Sequence, residues 1–222
     1  MTGEEQARAA VVRYWDSIAL LYLELFRDEF HGKPFDRQLL ASFAASLPPG
    51  AAVCDAGCGP CGHVTRLLAD AGLDVTGVDI SPRCIELARG QQPELRFETM
   101  DMAAMTFESG SLAGLVAYYS LHYLPRDKQS ELLLQFRRVL APGGLLLIAV
   151  KEGNSEGWID DPMGTGQRVF WCDFPASELQ LLVRESGFEV LDCTVRDSLP
   201  GEIAVRRVFL TARRVDAIME RK

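Results

Sequence analysis

The stretch "AVCDAGCGPCGHVTRLLADAGLDVTGVDIS", residues 52–81, decides how this chain is interpreted. It starts with a short apolar run and continues, from Gly57, into the spacing G-x-G-x-x-G that is typical of a dinucleotide-binding loop between a strand and a helix. Two residues depart from that pattern. The acid Asp55 lies two positions before the first glycine, and Pro60 stands where the helix should begin. The loop therefore holds either a diphosphate or a ligand without phosphate.

These two departures change the charge that the loop can accept. A diphosphate site meets two negative charges with free backbone N–H groups at the positive end of a helix. Pro60 has no N–H to donate, and Asp55 adds a negative charge beside the same loop. The loop is predicted to disfavour a diphosphate and to favour a ligand that carries a positive group.

Further acids follow at the ends of the next predicted strands. Asp79 ends the second strand, at a spacing that suits a carboxylate accepting from both hydroxyls of a ribose. Asp101 ends the third strand, where it is placed to accept a hydrogen bond from an exocyclic adenine amine. Together the acids indicate a nucleoside at one end of a crevice and an ammonium at the other.

Around this stretch, short apolar runs alternate with amphipathic helical segments. The alternation predicts right-handed crossovers and a doubly wound, mostly parallel α/β sheet of seven strands with helices on both faces. The last two runs, 188–195 and 203–212, have no helix between them, so we expect an antiparallel C-terminal hairpin. In such sheets the ligand lies at the carboxyl ends of the strands, near the point where strand order reverses.

The N-terminal region precedes the sheet and is helical in pattern. Residues 4–30 and a segment after Pro34 carry apolar side chains at helical spacing, and we expect these helices to lie over the ligand site. The chain of 222 residues is predicted to be a single domain, 1–222. Within it, residues 1–49 form a helical cap and residues 50–222 form the catalytic core.

Five segments, in order, resemble the successive motifs of class I S-adenosylmethionine-dependent methyltransferases. They are VCDAGCGPCGHVTRLLA from Val53, VTGVDIS from Val75, FETMDM from Phe97, AYYSLHYL from Ala117 and RRVLAPGGLLLIAV from Arg137. The resemblance covers about residues 35–190 and implies a Rossmann-like fold. The cofactor of that family has an adenosine, an ammonium and a sulfonium but no phosphate, which agrees with the predicted charge of the loop.

Position by position, the resemblance implies a set of cofactor contacts. Asp55 would organise the methionine ammonium, Asp79 would bind the ribose hydroxyls, and Asp101 would meet the adenine amine. The other implied contacts are Gly57, Cys58 and Gly59 at the methionine part and ribose, Ile80 and Met102 at the adenine, Tyr118 in the floor below the sulfonium, and Tyr22, or as an alternative Tyr14, over the methionine end. For the two N-terminal tyrosines and Met102, packing in the core is the alternative.

The reaction itself requires few side chains. Methyl transfer is an in-line displacement, so the enzyme mainly aligns the acceptor with the C–S bond. A base contributes where the acceptor must lose a proton, and His122, just past strand four, is the candidate base for an oxygen or nitrogen acceptor. The alternative is that His122 caps or packs on the following helix. We expect no metal, because Cys58-x-x-Cys61 lacks a second ligand pair.

The net charge and the sequence after strand four indicate which classes of partner the protein binds. The chain has a net charge of −8 and no basic field, and residues 118–121 lack the Asn/Asp-Pro-Pro-Tyr sequence of methyltransferases that act on adenine or amide nitrogen. We therefore expect no nucleic-acid partner. Without a signal peptide or a bilayer-spanning run, the chain is predicted to be cytoplasmic and to have no membrane partner, as a monomer or homodimer.

Residues 151–174 form a long insertion with four aromatic side chains, which suits a lid over a small, partly apolar acceptor or, alternatively, a surface hairpin. The predicted function is transfer of a methyl group from S-adenosylmethionine to a small molecule, with S-adenosylhomocysteine as product. Two alternatives stay open: a methyltransferase-like module that binds the cofactor or a partner without turnover, and a nicotinamide-dependent oxidoreductase. The sequence does not specify the acceptor or the element that is methylated.

Overall fold

The computed structural model describes residues 3–215. The helices in this part of the chain are α1 (Gly3–Phe26), α2 (Pro34–Ala45), α3 (His63–Asp70), α4 (Pro82–Gln91), α5 (Gln129–Val139) and α6 (Ala176–Glu185). The strands are β1 (Ala52–Ala56), β2 (Asp74–Asp79), β3 (Arg96–Thr99), β4 (Leu112–Tyr118), β5 (Leu140–Lys151), β6 (Glu156–Asp160), β7 (Arg168–Cys172), β8 (Phe188–Arg196) and β9 (Arg207–Arg214). Among these residues, no helix has both the length and the apolar character that crossing a membrane requires.

Seven of the strands form one sheet in the order β3-β2-β1-β4-β5-β9-β8. Neighbours from β3 to β5 pair in parallel, whereas β9 runs antiparallel to both β5 and β8. The remaining two strands, β6 and β7, form a separate antiparallel hairpin. This topology confirms the predicted fold class: a doubly wound, Rossmann-like, mostly parallel sheet of seven strands with an antiparallel C-terminal hairpin.

The order of the strands locates the crevice. From β1 the chain moves outward through β2 to β3, and then returns to the other side of β1 to form β4. The loops after β1 and β4 therefore leave the sheet side by side and in opposite directions, which opens a gap between them at the carboxyl ends. The hydroxyl of Ser120, after β4, donates to the carbonyl of Ala56, at the end of β1, and this bond of 2.7 Å ties the two loops together.

Side chains of β5 alternate between the two faces of the sheet and show why it is covered on both. Leu146 and Ile148 are fully buried in a cluster with α5 and α6, whereas Leu145 and Leu147 lie in a second cluster with α2 and α3. A strand buried on both sides reads as a continuous apolar run, as residues 145–150 do in the sequence.

Two predicted elements differ from the structure at their ends, and the structure specifies the content of a third segment. The helix predicted over 4–30 stops at Phe26 and gives way to a 3₁₀ turn, Glu29–Gly32. The strand predicted from 203 starts only at Arg207, because its partner β5 ends at Lys151, directly opposite. The insertion 151–174, predicted to be a lid or a surface hairpin, contains the hairpin β6–β7.

Candidate cofactor site

The glycine loop, residues 57–62, connects β1 to α3 and uses its own backbone donors internally. The N–H groups of Gly57 and Cys58 both donate to the carbonyl of Val78 on β2, at 2.8 and 3.0 Å. The N–H of Gly59 donates to the carboxylate of Asp79 at 3.0 Å, and Pro60 has no N–H. The first four residues of the loop therefore leave no backbone N–H free for a diphosphate.

Gly59 and Gly62 are required by the shape of this loop. Both have a positive φ, +62° and +60°, which side-chain-bearing residues rarely adopt. A methyl group on Gly62 would lie 2.7 Å from the ring of Phe97, so this glycine allows close packing of α3 against the sheet. A methyl group on Gly59 would have no atom within 4 Å, so the space in front of Gly59 is open to a ligand.

Asp79 is the last residue of β2 and is 7% exposed. Its carboxylate already accepts hydrogen bonds from two backbone N–H groups. One oxygen accepts from the N–H of Gly59 and the other from the N–H of Ser81, at 3.0 and 2.9 Å. A carboxylate has about four acceptor positions, so about two remain for a ligand. Burial raises the pKa of Asp79 to about 6, against the opposing effect of these backbone donors. The spare acceptors match the two hydroxyls of a ribose.

Asp55, on β1, lies beneath the loop and is 1% exposed. The hydroxyl of Thr65 in α3 donates to its carboxylate at 2.6 Å. Burial raises the pKa of Asp55 to about 7, although the hydrogen bonds from Thr65 lower it and the nearby Asp79 raises it further. Two buried acids so close together favour a cation in the crevice. Because Asp55 is buried, we expect it to act on a ligand through the loop or through water.

Asp101 follows β3 and faces the N-terminal helix. One carboxylate oxygen accepts from the N–H of Ala103 at 2.9 Å, and the other pairs with the guanidinium of Arg8 on α1 at 2.5 Å. Met102 is half-buried, beside Gly57. The structure therefore places a cation of α1 beside Asp101, one of the predicted adenine contacts.

Helix α1 covers the crevice with aromatic side chains. Tyr22 contacts Trp15 edge to face, at 5.2 Å between ring centroids, and Trp15 contacts Tyr123 in the same way at 5.6 Å. Tyr14 and Ile80 belong to the same apolar cluster. Burial, with a smaller effect of Glu29, raises the pKa of Tyr22 well above its usual value. Its hydroxyl stays protonated near the mouth of the loop.

A polar contact fixes α1 to the loop after β2. The hydroxyl of Ser81, the N-cap of α4, donates to Asp16 of α1 at 2.6 Å. The same carboxylate oxygen also accepts from the N–H of Arg83 at 3.3 Å. Asp16 therefore positions α1 over the crevice through the first turn of α4.

Two predicted contacts have side chains that face away from the crevice. The hydroxyl of Tyr118 donates to Asp36 in α2, and its ring packs near Phe30. Cys58 packs against the cluster formed by α4 and β3. In both cases the backbone, rather than the side chain, is the part that remains for a ligand.

His122 is held on both ring nitrogens and does not have the geometry of a base. Its Nδ1 lies 2.7 Å from the carbonyl of Cys172, and its Nε2 accepts from the N–H of Lys151 at 3.0 Å. The ring is fully buried and stacks on Trp171 at 4.2 Å. Burial lowers its pKa to about 3. This environment argues against the predicted base and favours the alternative, a packed histidine, which here joins β5 to β7.

Several residues of the site were not singled out from the sequence. Thr65 lies three positions beyond the last glycine of the loop, on the first turn of α3, and that spacing was a usable signal. Ser120, Asp16 and Arg8 act on residues 64, 65 and 93 positions away in the chain, and no local pattern marks them. Among the described residues, no group of three or more His, Cys, Asp or Glu side chains is placed to hold a metal ion.

The comparison with known protein families agrees with this geometry. Residues 53–144, which span the glycine loop and the strands β1 to β4, match the family model described as a methyltransferase domain. The chain carries a class I methyltransferase domain. S-adenosylmethionine is the cofactor of this class.

Individual relatives place the methyltransferase domain among proteins with varied acceptors. The chain is 36% identical over 106 residues to a trans-aconitate 2-methyltransferase of Delftia acidovorans, covering 47% of this chain and 39% of that one. It is 33% identical over 184 residues to an S-adenosyl-L-methionine-dependent Diels–Alderase, iccD, of Talaromyces variabilis, covering 74% and 61%. The chain thus spans less than two thirds of the length of these relatives.

A solved structure extends the similarity of fold across the whole methyltransferase domain. The 1,6-didemethyltoxoflavin-N1-methyltransferase of Burkholderia thailandensis, with its substrate and S-adenosylhomocysteine bound, superposes with a TM-score of 0.72. The match covers 97% of this chain and 92% of that one at 22% identity. At that identity the similarity shows the fold alone.

Proposed function

We propose that this protein transfers a methyl group from S-adenosylmethionine to a small-molecule acceptor. The observation that supports this proposal is the hydrogen bonding and charge of the glycine loop. The N–H groups of residues 57–59 are bonded within the protein, Pro60 has none, and the buried acids Asp55 and Asp79 lie beside them. Such a loop suits a cationic nucleoside and not a diphosphate.

The contacts carried by the acids follow from their free acceptor positions. Asp79 would hold the ribose hydroxyls with the lone pairs that Gly59 and Ser81 leave free. Asp101 would accept from the adenine amine beside Arg8. The carboxylate of Asp55 would stabilise the ammonium from beneath the loop. Ile80 and Met102 would line the adenine, and Tyr22 would cover the methionine end.

The chemistry demands alignment more than proton transfer. When bound, S-adenosylmethionine supplies a methyl group on a sulfonium, which an acceptor lone pair attacks while the C–S electron pair leaves with the sulfur. The chain's own residues hold the two partners in line and exclude water. With both nitrogens of His122 bonded to backbone, we propose that the acceptor loses any proton before it binds or to solvent.

The acceptor side is bounded by α1, by the loop after β4 and by the hairpin β6–β7. Contacts of α1 with α4 and with β7 support the proposal that 1–222 act as one domain, with 1–49 as a cap over the core 50–222. Residues 1–2 and 216–222 of that proposal lie outside the described residues. The small molecules named in the trans-aconitate and toxoflavin enzymes support a small acceptor for this chain as well. We propose a cytoplasmic location and a monomer or homodimer, without a nucleic-acid partner.

Calorimetry with S-adenosylhomocysteine tests the proposal. We expect micromolar binding of S-adenosylhomocysteine and no binding of NADH. Loss of the two ribose bonds in Asp79→Ala should weaken the affinity about 10²–10⁴-fold, since hydrogen bonds to a charged group each contribute about 1.5–3 kcal/mol. Asp74→Ala, on the exposed start of the same strand, is the matched control and should bind as the wild type does. Tight binding of NADH would overturn the assignment.

A second function is favoured by one comparison. The relative iccD is named as a Diels–Alderase that depends on S-adenosyl-L-methionine, so a related fold is associated with a cyclisation. The absence of a free histidine base at His122 agrees with that chemistry as well as with methyl transfer. Incubation with methyl-labelled S-adenosylmethionine and a library of small acceptors separates the two, because only methyl transfer releases S-adenosylhomocysteine in step with product.

A further inference from the structure

A cluster of charged side chains lies beside the crevice, at the carboxyl ends of β4 and β5. Its cations are almost all neutralised by carboxylates. Arg196 pairs with Asp36 at 2.9 Å and with Glu202 at 2.7 Å. The ammonium of Lys33 pairs with Glu202 at 3.2 Å and with Glu29, and the guanidinium of Arg207 pairs with Glu202 at 3.1 Å. The cluster thus contains three paired cations and three acids.

Lys151 is the fourth cation of this cluster and differs from the others. Within residues 3–215, no carboxylate lies within ion-pair distance of its ammonium and no acceptor forms a hydrogen bond with it. The ammonium lies over the ring of Trp171, 4.5 Å from the centroid. The same ring stacks on His122, which accepts the backbone N–H of Lys151. The side chain is therefore held in place, half-buried and without a counterion.

The charged groups that face Lys151 are of both signs. Arg207, directly opposite on β9, and Lys33 repel its charge, whereas Asp173 and Glu29 attract it. Asp173 already accepts the indole N–H of Trp171 at 2.7 Å, and Glu29 is paired with Lys33. Burial and the neighbouring cations lower the pKa of Lys151. An anion placed against this ammonium would offset the cost of burying its charge and the repulsion from the neighbouring cations.

A second unused donor belongs to the same cluster. Tyr119, the first residue after β4, has a φ of +57°, which is rare for a side-chain-bearing residue. Its N–H donates to the carbonyl of Ala149 on β5, two residues before Lys151. Its hydroxyl is buried and has no hydrogen-bond partner among the described residues. Tyr119 is thus bonded to β5 two residues from Lys151, and the charge of Arg207, opposite Lys151 on β9, acts on both residues.

An unpartnered buried donor costs free energy, so the buried Tyr119 hydroxyl indicates a ligand, as does the half-buried Lys151 ammonium without a counterion on the neighbouring strand. The place is also the one that methyl transfer requires, because the loop after β4 borders both the cofactor crevice and the acceptor side. A neutral or cationic acceptor would leave the charge of Lys151 uncompensated. An acceptor with an ionised oxygen would accept from both donors.

We propose that Lys151, assisted by the hydroxyl of Tyr119, binds an anionic oxygen group of the acceptor, so that the substrate is a small organic acid bearing a carboxylate, phenolate or enolate. This inference rests on the proposed methyltransferase function, and it makes Lys151 the residue that selects the acceptor. The tight packing of Trp171 and His122 serves to hold the ammonium in position.

The test uses protein saturated with S-adenosylhomocysteine and titrated, by calorimetry, with trans-aconitate, salicylate and benzoate. The neutral trimethyl aconitate, salicylamide and benzamide are titrated in parallel. At least one acid should bind the wild type, and its neutral partner should bind more weakly. Lys151→Gln should weaken the binding of that acid about tenfold to a hundredfold, Lys151→Arg should largely retain it, and Tyr119→Phe should weaken it less than Lys151→Gln does.

The control variant is Arg213→Gln. Arg213 also lies on β9 opposite β5, but at the other end of the sheet, where its side chain is 50% exposed and pairs with Glu189. This variant should bind the acid as the wild type does. Acid affinity should also fall as pH rises through the pKa of Lys151, whereas Lys151→Arg should retain it, since arginine stays charged.

The outcomes separate this inference from the proposed function. Failure of S-adenosylhomocysteine to bind would remove the methyltransferase assignment itself. Normal binding of S-adenosylhomocysteine with no affinity for any of the acids would remove only the acceptor inference. Unchanged affinity in Lys151→Gln, or equal affinity for an acid and its neutral partner, would do the same. Lys151→Gln should bind S-adenosylhomocysteine normally, which shows that the variant is folded.

Discussion

Two buried carboxylates define the crevice at the scale of single residues. Asp55 and Asp79 are 1% and 7% exposed, and burial raises their pKa values to about 7 and about 6. In the free protein these acids are therefore partly protonated near neutrality. A ligand whose ammonium and hydroxyl groups interact with the ionised forms must release those protons when it binds.

We predict that the affinity for S-adenosylhomocysteine rises with pH. Because Asp79 must ionise to accept from the ribose, binding at about pH 5 should be about tenfold weaker than at about pH 7.5. Calorimetry over this range measures the change, and buffers of different ionisation enthalpy report the protons released. In Asp79→Asn the rise should flatten. An affinity that does not depend on pH in the wild type would contradict the role of the buried acids.

The same acids predict how the stability of the ligand-free protein responds to pH. A carboxyl group whose pKa is raised by folding binds more protons in the folded than in the unfolded state. Its contribution to stability is therefore greatest at low pH and declines as pH rises from about 4 to about 7. Thermal unfolding of the wild type and of Asp55→Asn should differ in slope across this window. Parallel curves would show that Asp55 does not titrate there.

His122 is expected to contribute to stability rather than to proton transfer. His122→Ala should lower the free energy of unfolding by about 2–4 kcal/mol, because it leaves a cavity beside Trp171 and removes both backbone contacts. Chemical denaturation measures this loss. A base role instead predicts a stable variant whose turnover falls about 10²–10⁴-fold, with the lost pKa missing from its pH profile.

At the scale of elements, two glycines of the glycine loop have different roles, one toward a ligand and one in packing. Gly59 faces open space, and Gly62 packs on Phe97. Gly62→Ala should destabilise the protein by more than the about 1–2 kcal/mol of a left-handed alanine, since its methyl group also clashes with the ring. Gly59→Ala has the backbone penalty alone, and it should lose S-adenosylhomocysteine affinity more than stability. Paired thermal unfolding and calorimetry distinguish the two, and equal losses of stability would refute the division.

The sequence predicted most elements because their signals are local. Apolar runs marked the strands, and Ser81-Pro82 marked the start of α4, where the Ser81 hydroxyl does accept from the N–H of Cys84. Predicted ends were wrong where a distant partner decides them. The start of β9 depends on where β5 ends, which no pattern near 203 reveals.

At the scale of the whole molecule, α1 is a cap fixed by few polar contacts. Arg8 reaches Asp101, and Asp16 reaches Ser81, from positions that are exposed on α1. A cap held in this way opens more easily than the sheet beneath it. We predict that S-adenosylhomocysteine slows hydrogen exchange in α1 and that Asp16→Ala speeds it, while the amides of β5 stay unaffected. Equal protection of α1 with and without ligand would argue against the cap.

The proximity of the three acids could be predicted because Asp55 and Asp79 lie at the ends of strands, Asp101 follows one, and parallel strands end at one edge. The supporting residues could not, because their partners are remote in sequence. Arg196 and Asp36 form their ion pair across 160 positions, and His122 reaches Cys172 across 50. The same limit explains why His122 looked like a base: the sequence shows its place at the end of β4 but not the two backbone groups that occupy its nitrogens.

The place of β9 in the sheet has a consequence for synthesis on the ribosome. Strand β8 is made before β9 but lies outside it, at the edge, with β9 as its neighbour in the sheet. Until β9 emerges, β8 has nothing to join, and Lys151 has no strand opposite it. A nascent chain stopped before Arg207 would thus lack β9 and leave β8 unpaired, and Lys151 would lack Arg207, the cation that lies opposite it in the sheet.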